Sequence, residues 1–147
     1  MDAVRALKQV FIFKDVPESV LEIVAVAADE MSVSAGQTIL SPGDRPDALY
    51  VIRSGTVRAV LEGGKAPPVL FGTGETLGEI ALIDGGPFAG WATAVERVDL
   101  LVIRAGKLAG ALKDRPEAAV QFYRAIAKSL AGRLRRAIGM ISLSQDR

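Results

Sequence analysis

The spacing of apolar positions changes twice along the chain. In "VPESVLEIVAVAADE", Val16, Val20, Ile23, Val24 and Ala27 recur at three and four residues, with Pro17 and Glu18 placed in a first turn. That pattern predicts a short helix over about 16–29. From about 31 to 104 the chain becomes a series of short apolar or β-branched runs, cut by "SAGQ", "SPGD", "RSGT", "EGGKAPP", "GTGE" and "DGGP". Many short strands at such intervals predict a sandwich, a jelly roll or a small barrel.

Within that region "ALYVIRSGTVRAVLE" reads as a hairpin turning at Ser54 and Gly55, where glycine allows the positive φ of a tight turn. A second strand pair is expected through "WATAVERVDLLVIRAG", with its turn near Glu96, Arg97 and Asp99. Helical spacing then returns. A short helix in "KLAGALKDRP" precedes a long one, so that C-terminal helices occupy about 106–143. In the long helix Tyr123, Ala127, Leu130, Leu134, Ala137 and Ile141 step by four and three, as a heptad seam does. Residues 1–147 read as one domain, without an internal repeat or a linker.

Composition removes several kinds of chemistry. The 147 residues contain no cysteine and no histidine, which excludes disulfides, thiolate nucleophiles, imidazole bases and most zinc sites. Apolar residues form 50% of the chain and charged residues 24%, values of an ordinary globular protein. No run approaches the roughly 18 apolar residues of a membrane span, and the N-terminus lacks a targeting pattern, so a cytoplasmic protein is expected. Glu75, Glu79 and Asp84 have no metal-ligand spacing, and "EGGKAPP" fails as a phosphate loop because Ala59 stands where the first glycine belongs. An enzyme is the remotest reading.

The net charge of +1 is unevenly distributed. Residues 104–147 carry ten Lys or Arg against three acids, and residues 1–103 carry eight against fourteen. A basic helix can meet nucleic acid or an acidic surface, yet Arg124, Lys128, Arg133, Arg135 and Arg136 lack aromatic interleaving and a nucleic-acid fold. Direct DNA binding is not expected.

The order helix, β-roll, long helix, taken with "ILSPGDRPDALYVIRSGTVRAV" and "GEIALIDGGPFAGWATA", resembles the cyclic-nucleotide-binding domain family of catabolite activator proteins and cyclic-AMP-dependent kinase regulatory subunits. The resemblance rests on Gly43 and Asp44, on Leu49, Tyr50, Val51 and Ile52 followed by Gly55, and on Leu77 to Leu82. It covers nearly the whole chain. It implies a mainly β fold with flanking helices, an eight-stranded double-stranded β-helix or jelly roll, and a phosphate-binding loop starting at Gly78. By position, Glu79 would accept from a ribose 2′-hydroxyl, while backbone N–H groups of Gly78, Ile80 and Ala81 would face ligand oxygens. Cyclic AMP, cyclic GMP or another small ligand is the implied guest.

This loop departs from the family at one end. The family closes it with an arginine, a small polar residue and an alanine; here Phe88, Ala89 and Gly90 occupy those positions. A charge-assisted hydrogen bond contributes roughly 1.5–3 kcal/mol, so losing the guanidinium weakens phosphate binding by one to two orders of magnitude. Leaving the phosphate desolvated and unpaired costs more. Phe88 reads either as a core residue closing the roll or as an aromatic platform for a different ligand. Among cations that might substitute, Arg53 and Arg58 are expected to be solvated, whereas Arg133 falls where bacterial family members offer a basic residue from the long helix.

The sequence therefore predicts a non-enzymatic regulatory or sensor module with a degenerate cassette, acting through a protein partner. The alternative is a cyclic nucleotide receptor in which Arg133 compensates. Bacterial members pair their long helices and continue into a helix-turn-helix, for which the residues after the seam leave no room. A homodimer through Tyr123, Ala127, Leu130, Leu134, Ala137 and Ile141 is expected, with packing of the same helix on its own roll as the competing reading.

Overall fold

The structure, a computed structural model, describes residues 2–63 and 65–145, with side chains described as far as Ile141. Gly64, inside the segment screened as a phosphate loop, lies outside them. Three helical pieces precede or flank the first strand: α1 (Ala3–Lys8), a 3₁₀ turn (Phe11–Phe13) and α2 (Glu18–Val26). The first two were not expected. Asp2 caps α1 by accepting from the Val4 N–H at 3.0 Å, and Leu7, Val10 and Phe13 are buried, so this segment is held by packing as well as by its own short turns.

Eight strands follow: β1 (Ala28–Val33), β2 (Thr38–Leu40), β3 (Ala48–Ser54), β4 (Val57–Leu61), β5 (Val69–Phe71), β6 (Thr76–Leu77), β7 (Gly90–Ala94) and β8 (Val98–Arg104). They form two antiparallel four-stranded sheets of order β1-β8-β3-β6 and β2-β7-β4-β5, the expected jelly roll. β1 starts earlier than the expected boundary because Ala28 to Glu30 continue the ladder opposite Leu101 to Ile103.

The two expected hairpins are corners instead. β3 pairs with β8 and β4 pairs with β7, so the chain changes sheet at Ser54–Thr56 and again at Val95–Arg97. The corners are stacked: Val95 N–H donates to the Thr56 carbonyl at 2.9 Å, and a Cβ at Gly55 would strike the Arg97 carbonyl. Gly55, at φ +96°, is therefore required by close approach as well as by its dihedral. The local sequence of such a corner looks like that of a tight turn, and only the long-range pairing separates them.

Alternation along β3 and β8 serves two cores. Leu49, Val51, Leu101 and Ile103 face the helices and join Leu7, Phe13, Leu21, Val24, Leu108, Phe122 and Ile126. Tyr50, Ile52, Leu100 and Val102 face the inside of the roll with Val57, Leu77, Ala92 and Ala94. A strand covered on both sides reads as a continuous apolar run, as "ALYVI" and "LLVI" do. Each fully buried large side chain contributes about 1.5–3 kcal/mol.

After β8 come α4 (Ala105–Leu112) and α5 (Pro116–Gln145). Pro116 and Glu117 suit the first turn of α5, where proline loses no hydrogen bond and an acid faces the positive end of the helix dipole. The expected seam divides. Tyr123 and Leu130 pack against the helix-side core of their own chain, while Ala127, Leu134, Ala137 and Ile141 are exposed. The first half of α5 packs on its own chain, where Phe122, Ala125 and Ile126 are buried.

Candidate functional site

The segment from Gly78 to Gly90 joins β6 of one sheet to β7 of the other across the mouth of the roll. Its first half is a helix, α3 (Glu79–Asp84), where the sequence suggested a loop. Gly78 caps this helix at φ +89°, and a Cβ there would lie 2.6 Å from the Ala48 carbonyl oxygen. Strand and cassette approach so closely that no other residue fits without displacement.

That turn drives the Glu79 carboxylate inward, where the residue is only 2% exposed. Burial of a carboxylate requires partners, and Glu79 has two. The Thr76 hydroxyl donates to Oε1, and Arg133 reaches over from α5 to place Nη1 2.9 Å from Oε2 and Nη2 3.3 Å from Oε1. The Arg133 side chain is 37% exposed, so one end of the pair meets solvent. The Arg133 guanidinium therefore lies against the cassette. Both oxygens of the carboxylate expected to receive a ribose hydroxyl are engaged with protein groups.

The other named residues divide by depth. Ala81 is buried, while the Ile80 side chain points to solvent, so Ile80 can face a ligand only through its backbone. Phe88 is half-buried and packs with Ile39 and Phe71 against the core inside the roll. Of the two readings for Phe88, this agrees with a residue that closes the roll. Ala89 is exposed, and Gly90 is buried where a Cβ would collide with the Val60 carbonyl. Trp91 is partly exposed on β7 opposite Val60.

The loop between β2 and β3 pins the closing end of the cassette. Phe88 N–H donates to the Asp44 carbonyl at 2.7 Å, and Gly43 N–H donates to the Phe88 carbonyl at 3.0 Å. Arg45 spans the same gap, donating from Nη1 to the Gly85 carbonyl at 3.1 Å. Sequence reasoning passed over Arg45, since a basic residue after a Gly-Asp turn gives no sign of the loop it will meet. Nearby, burial raises the Tyr50 hydroxyl pKa above its usual value; Arg104 opposes the shift and Asp44 adds to it.

Arg58 is exposed as expected, but Arg53 is not. Its side chain is 13% exposed and pairs with Glu30 at 2.9 Å, because β3 carries it onto the face of the sheet shared by Val51 and Leu49. Among the described residues there is no cluster of three or more potential metal ligands, and no helix is long and apolar enough to cross a membrane.

This combination of roll, capping glycine, inward carboxylate and long C-terminal helix defines a class. The signature of the cyclic nucleotide-binding domain covers residues 30–115, and the chain belongs to that family. It is similar to the CRP-like cAMP-activated global transcriptional regulator of Mycobacterium tuberculosis, at 29% identity over 125 residues, 81% of this chain and 54% of that protein. The cAMP-dependent protein kinase regulatory subunit of Aspergillus niger is 36% identical over 84 residues, 57% of this chain and 20% of that protein. The crystal structure of the Thermus thermophilus catabolite activator protein superposes with a TM-score of 0.76 at 28% identity, covering 91% of this chain and 62% of the other. The chain thus spans about half the length of the mycobacterial regulator and a fifth of the kinase subunit.

Proposed function

We propose that this chain is a regulatory sensor module whose cassette binds cyclic AMP and cyclic GMP poorly and has shifted toward weak or altered ligand recognition. The observation that supports this is the pairing of a lost cation with an occupied carboxylate. Phe88 stands where the family places an arginine, and Glu79 is already shared between Thr76 and Arg133. A cyclic nucleotide entering this cassette lacks its phosphate partner and must displace a guanidinium from its ribose partner. Each loss is worth roughly 1.5–3 kcal/mol, enough to move a micromolar site beyond about 100 μM.

One observation favours a second reading, a true cyclic nucleotide receptor. Arg133 is already in the cassette, and a guanidinium has five N–H donors, so it can serve a phosphate and Glu79 together. Calorimetric titration with both nucleotides separates the two: dissociation constants above about 100 μM support the first and micromolar constants the second.

The module is proposed to be cytoplasmic and non-enzymatic and to signal through a protein partner without touching DNA. It is proposed to form a homodimer through the exposed part of α5, with Leu134, Ala137 and Ile141 at its centre. Leu134 is 61% exposed, and Ile138 and Met140 are also open, so this half of the helix presents an apolar surface that its own roll does not cover.

A further inference from the structure

A second feature lies away from the cassette, on the outer face of the β1-β8-β3 sheet. Leu49, Val51, Leu101 and Ile103 on that face are covered by helices. One step further along each strand the cover ends and the side chains become polar. Ser32 lies opposite Asp99 in the ladder, and Ser54 is paired with Asp99 where the β3 register shifts. Together Glu30, Met31, Ser32, Arg53, Arg97 and Asp99 line a hollow of about 250 Å³.

Asp99 and the two serine hydroxyls in this hollow are paired with one another, and Arg53 is only partly paired. Asp99 accepts from the Ser32 hydroxyl at 2.7 Å and the Ser54 hydroxyl at 3.1 Å, and lies 3.4 Å from Arg97. Glu30 takes Nη1 of Arg53 through one oxygen. The Nε–H of Arg53 is shut off from water and has no acceptor among the described residues. A guanidinium offers a carboxylate or phosphate two parallel N–H groups through its Nε and neighbouring Nη, and on Arg53 that edge is left without its Nε acceptor. Arg97 is mostly exposed and already turned toward the hollow, with its Nη2 near Asp99 and the Ser32 hydroxyl.

We propose that this hollow is a binding site for a small oxyanion of the phosphate class, held between Arg53 and Arg97 with Glu30 moved aside. With Glu30 swung out, the ligand reaches the edge of Arg53 that is now sealed and supplies the acceptor that its Nε–H lacks. Arg97 gives the second charge, and the Ser32 hydroxyl lies beside it, 3.5 Å from its Nη2. The volume suits a phosphate group with a short ester chain, and Glu30 and Asp99 at the rim disfavour a larger acidic surface. Glu30 yields readily because its side chain is mostly exposed and its pairing with Arg53 uses a single oxygen.

The test uses the full chain, with inorganic phosphate as probe, following the arginine Nε–H resonances by ¹⁵N-edited NMR at constant ionic strength. The Arg53 signal should shift saturably, with half-saturation in the millimolar range or below. Arg53→Lys, which keeps charge and removes the fork, should weaken binding at least fivefold as read from the Arg97 signal, and Arg97→Gln should weaken it comparably as read from the Arg53 signal. Glu30→Gln should tighten it at least threefold, a gain that damage to the fold cannot mimic. Arg133→Gln should leave it unchanged, which separates this site from the cassette. A linear, unsaturating response, or a Glu30→Gln variant that binds no tighter, overturns the proposal; acetate binding better than phosphate overturns its ligand class.

Discussion

Glu79 and Arg133 are separated by 54 positions in sequence and joined by two hydrogen bonds, which tie the mouth of the roll to the helix that leaves it. Past Arg133, none of the described residues of α5 is buried. Among the described residues the pair is the last polar tether between this helix and its own domain, and it uses the carboxylate expected to receive a ribose hydroxyl.

The strength of this tether is measurable by a double-mutant cycle. Replacing Arg133 with Gln leaves a buried carboxylate with Thr76 as its remaining hydrogen-bond partner, and should cost about 1–3 kcal/mol in urea unfolding, below the range of a fully buried pair because Arg133 is partly solvated. Glu79→Gln combined with Arg133→Gln should cost less than the two single changes summed. Additive losses would show that the two side chains do not interact in solution.

Gly78 tests the geometry that buries Glu79. Alanine there meets both a positive φ and the Ala48 carbonyl, so Gly78→Ala should destabilise the domain by about 2 kcal/mol or more. Gly85, also at positive φ but in open space, should tolerate alanine at about 1 kcal/mol. Equal effects at the two sites would remove the argument from close approach.

The two halves of α5 should respond differently. Phe122→Ala, in the helix-side core, should cost about 3–5 kcal/mol. Leu134→Glu with Ile141→Glu should leave unfolding nearly unchanged and, in sedimentation, convert a dimer to a folded monomer. A wild-type chain that sediments as a monomer at high concentration would contradict the proposed homodimer.

Asp99 provides a pH test. Hydrogen bonds from Ser32 and then Ser54 are the main causes that hold its pKa below the usual carboxylate value, with Arg97 assisting. A depressed folded pKa means that the stabilisation is present above the unfolded value, about 3.9, and is lost as pH falls through the lower folded value. Asp99→Asn should therefore flatten the acid limb of a stability curve below about pH 4 and leave its slope above pH 5 unaltered. An identical acid limb would mean that these hydrogen bonds do not favour the ionised form.

Much of this architecture was legible because its signals are local. Glycine-punctuated strands and the four-residue spacing of the long helix follow from backbone and burial rules acting over a few residues, whereas the cassette at Gly78 and Glu79 was read from the family resemblance. What escaped depends on distant contacts. The corners at Gly55 and Arg97 looked like hairpins because turn chemistry is the same whether the following strand pairs with its predecessor or crosses to another sheet. Arg53 was expected to be solvated beside the turn, but β3 carries it onto the face shared with β1, where it pairs with Glu30. The heptad seam failed to separate a face packed at home from one left open, since both require apolar residues at the same interval. Phe88 was visible as a missing charge, but the occupation of Glu79 by Arg133 emerged only when the helix was placed against the roll.

The most direct measurement of the central claim is the affinity of the chain for cyclic AMP, by calorimetry, beside its Phe88→Arg variant. The account predicts a dissociation constant above about 100 μM for the natural chain and a gain of tenfold or more in the variant, as one restored charge-assisted pair implies. A micromolar constant for the natural chain, with no gain from the added arginine, would contradict it.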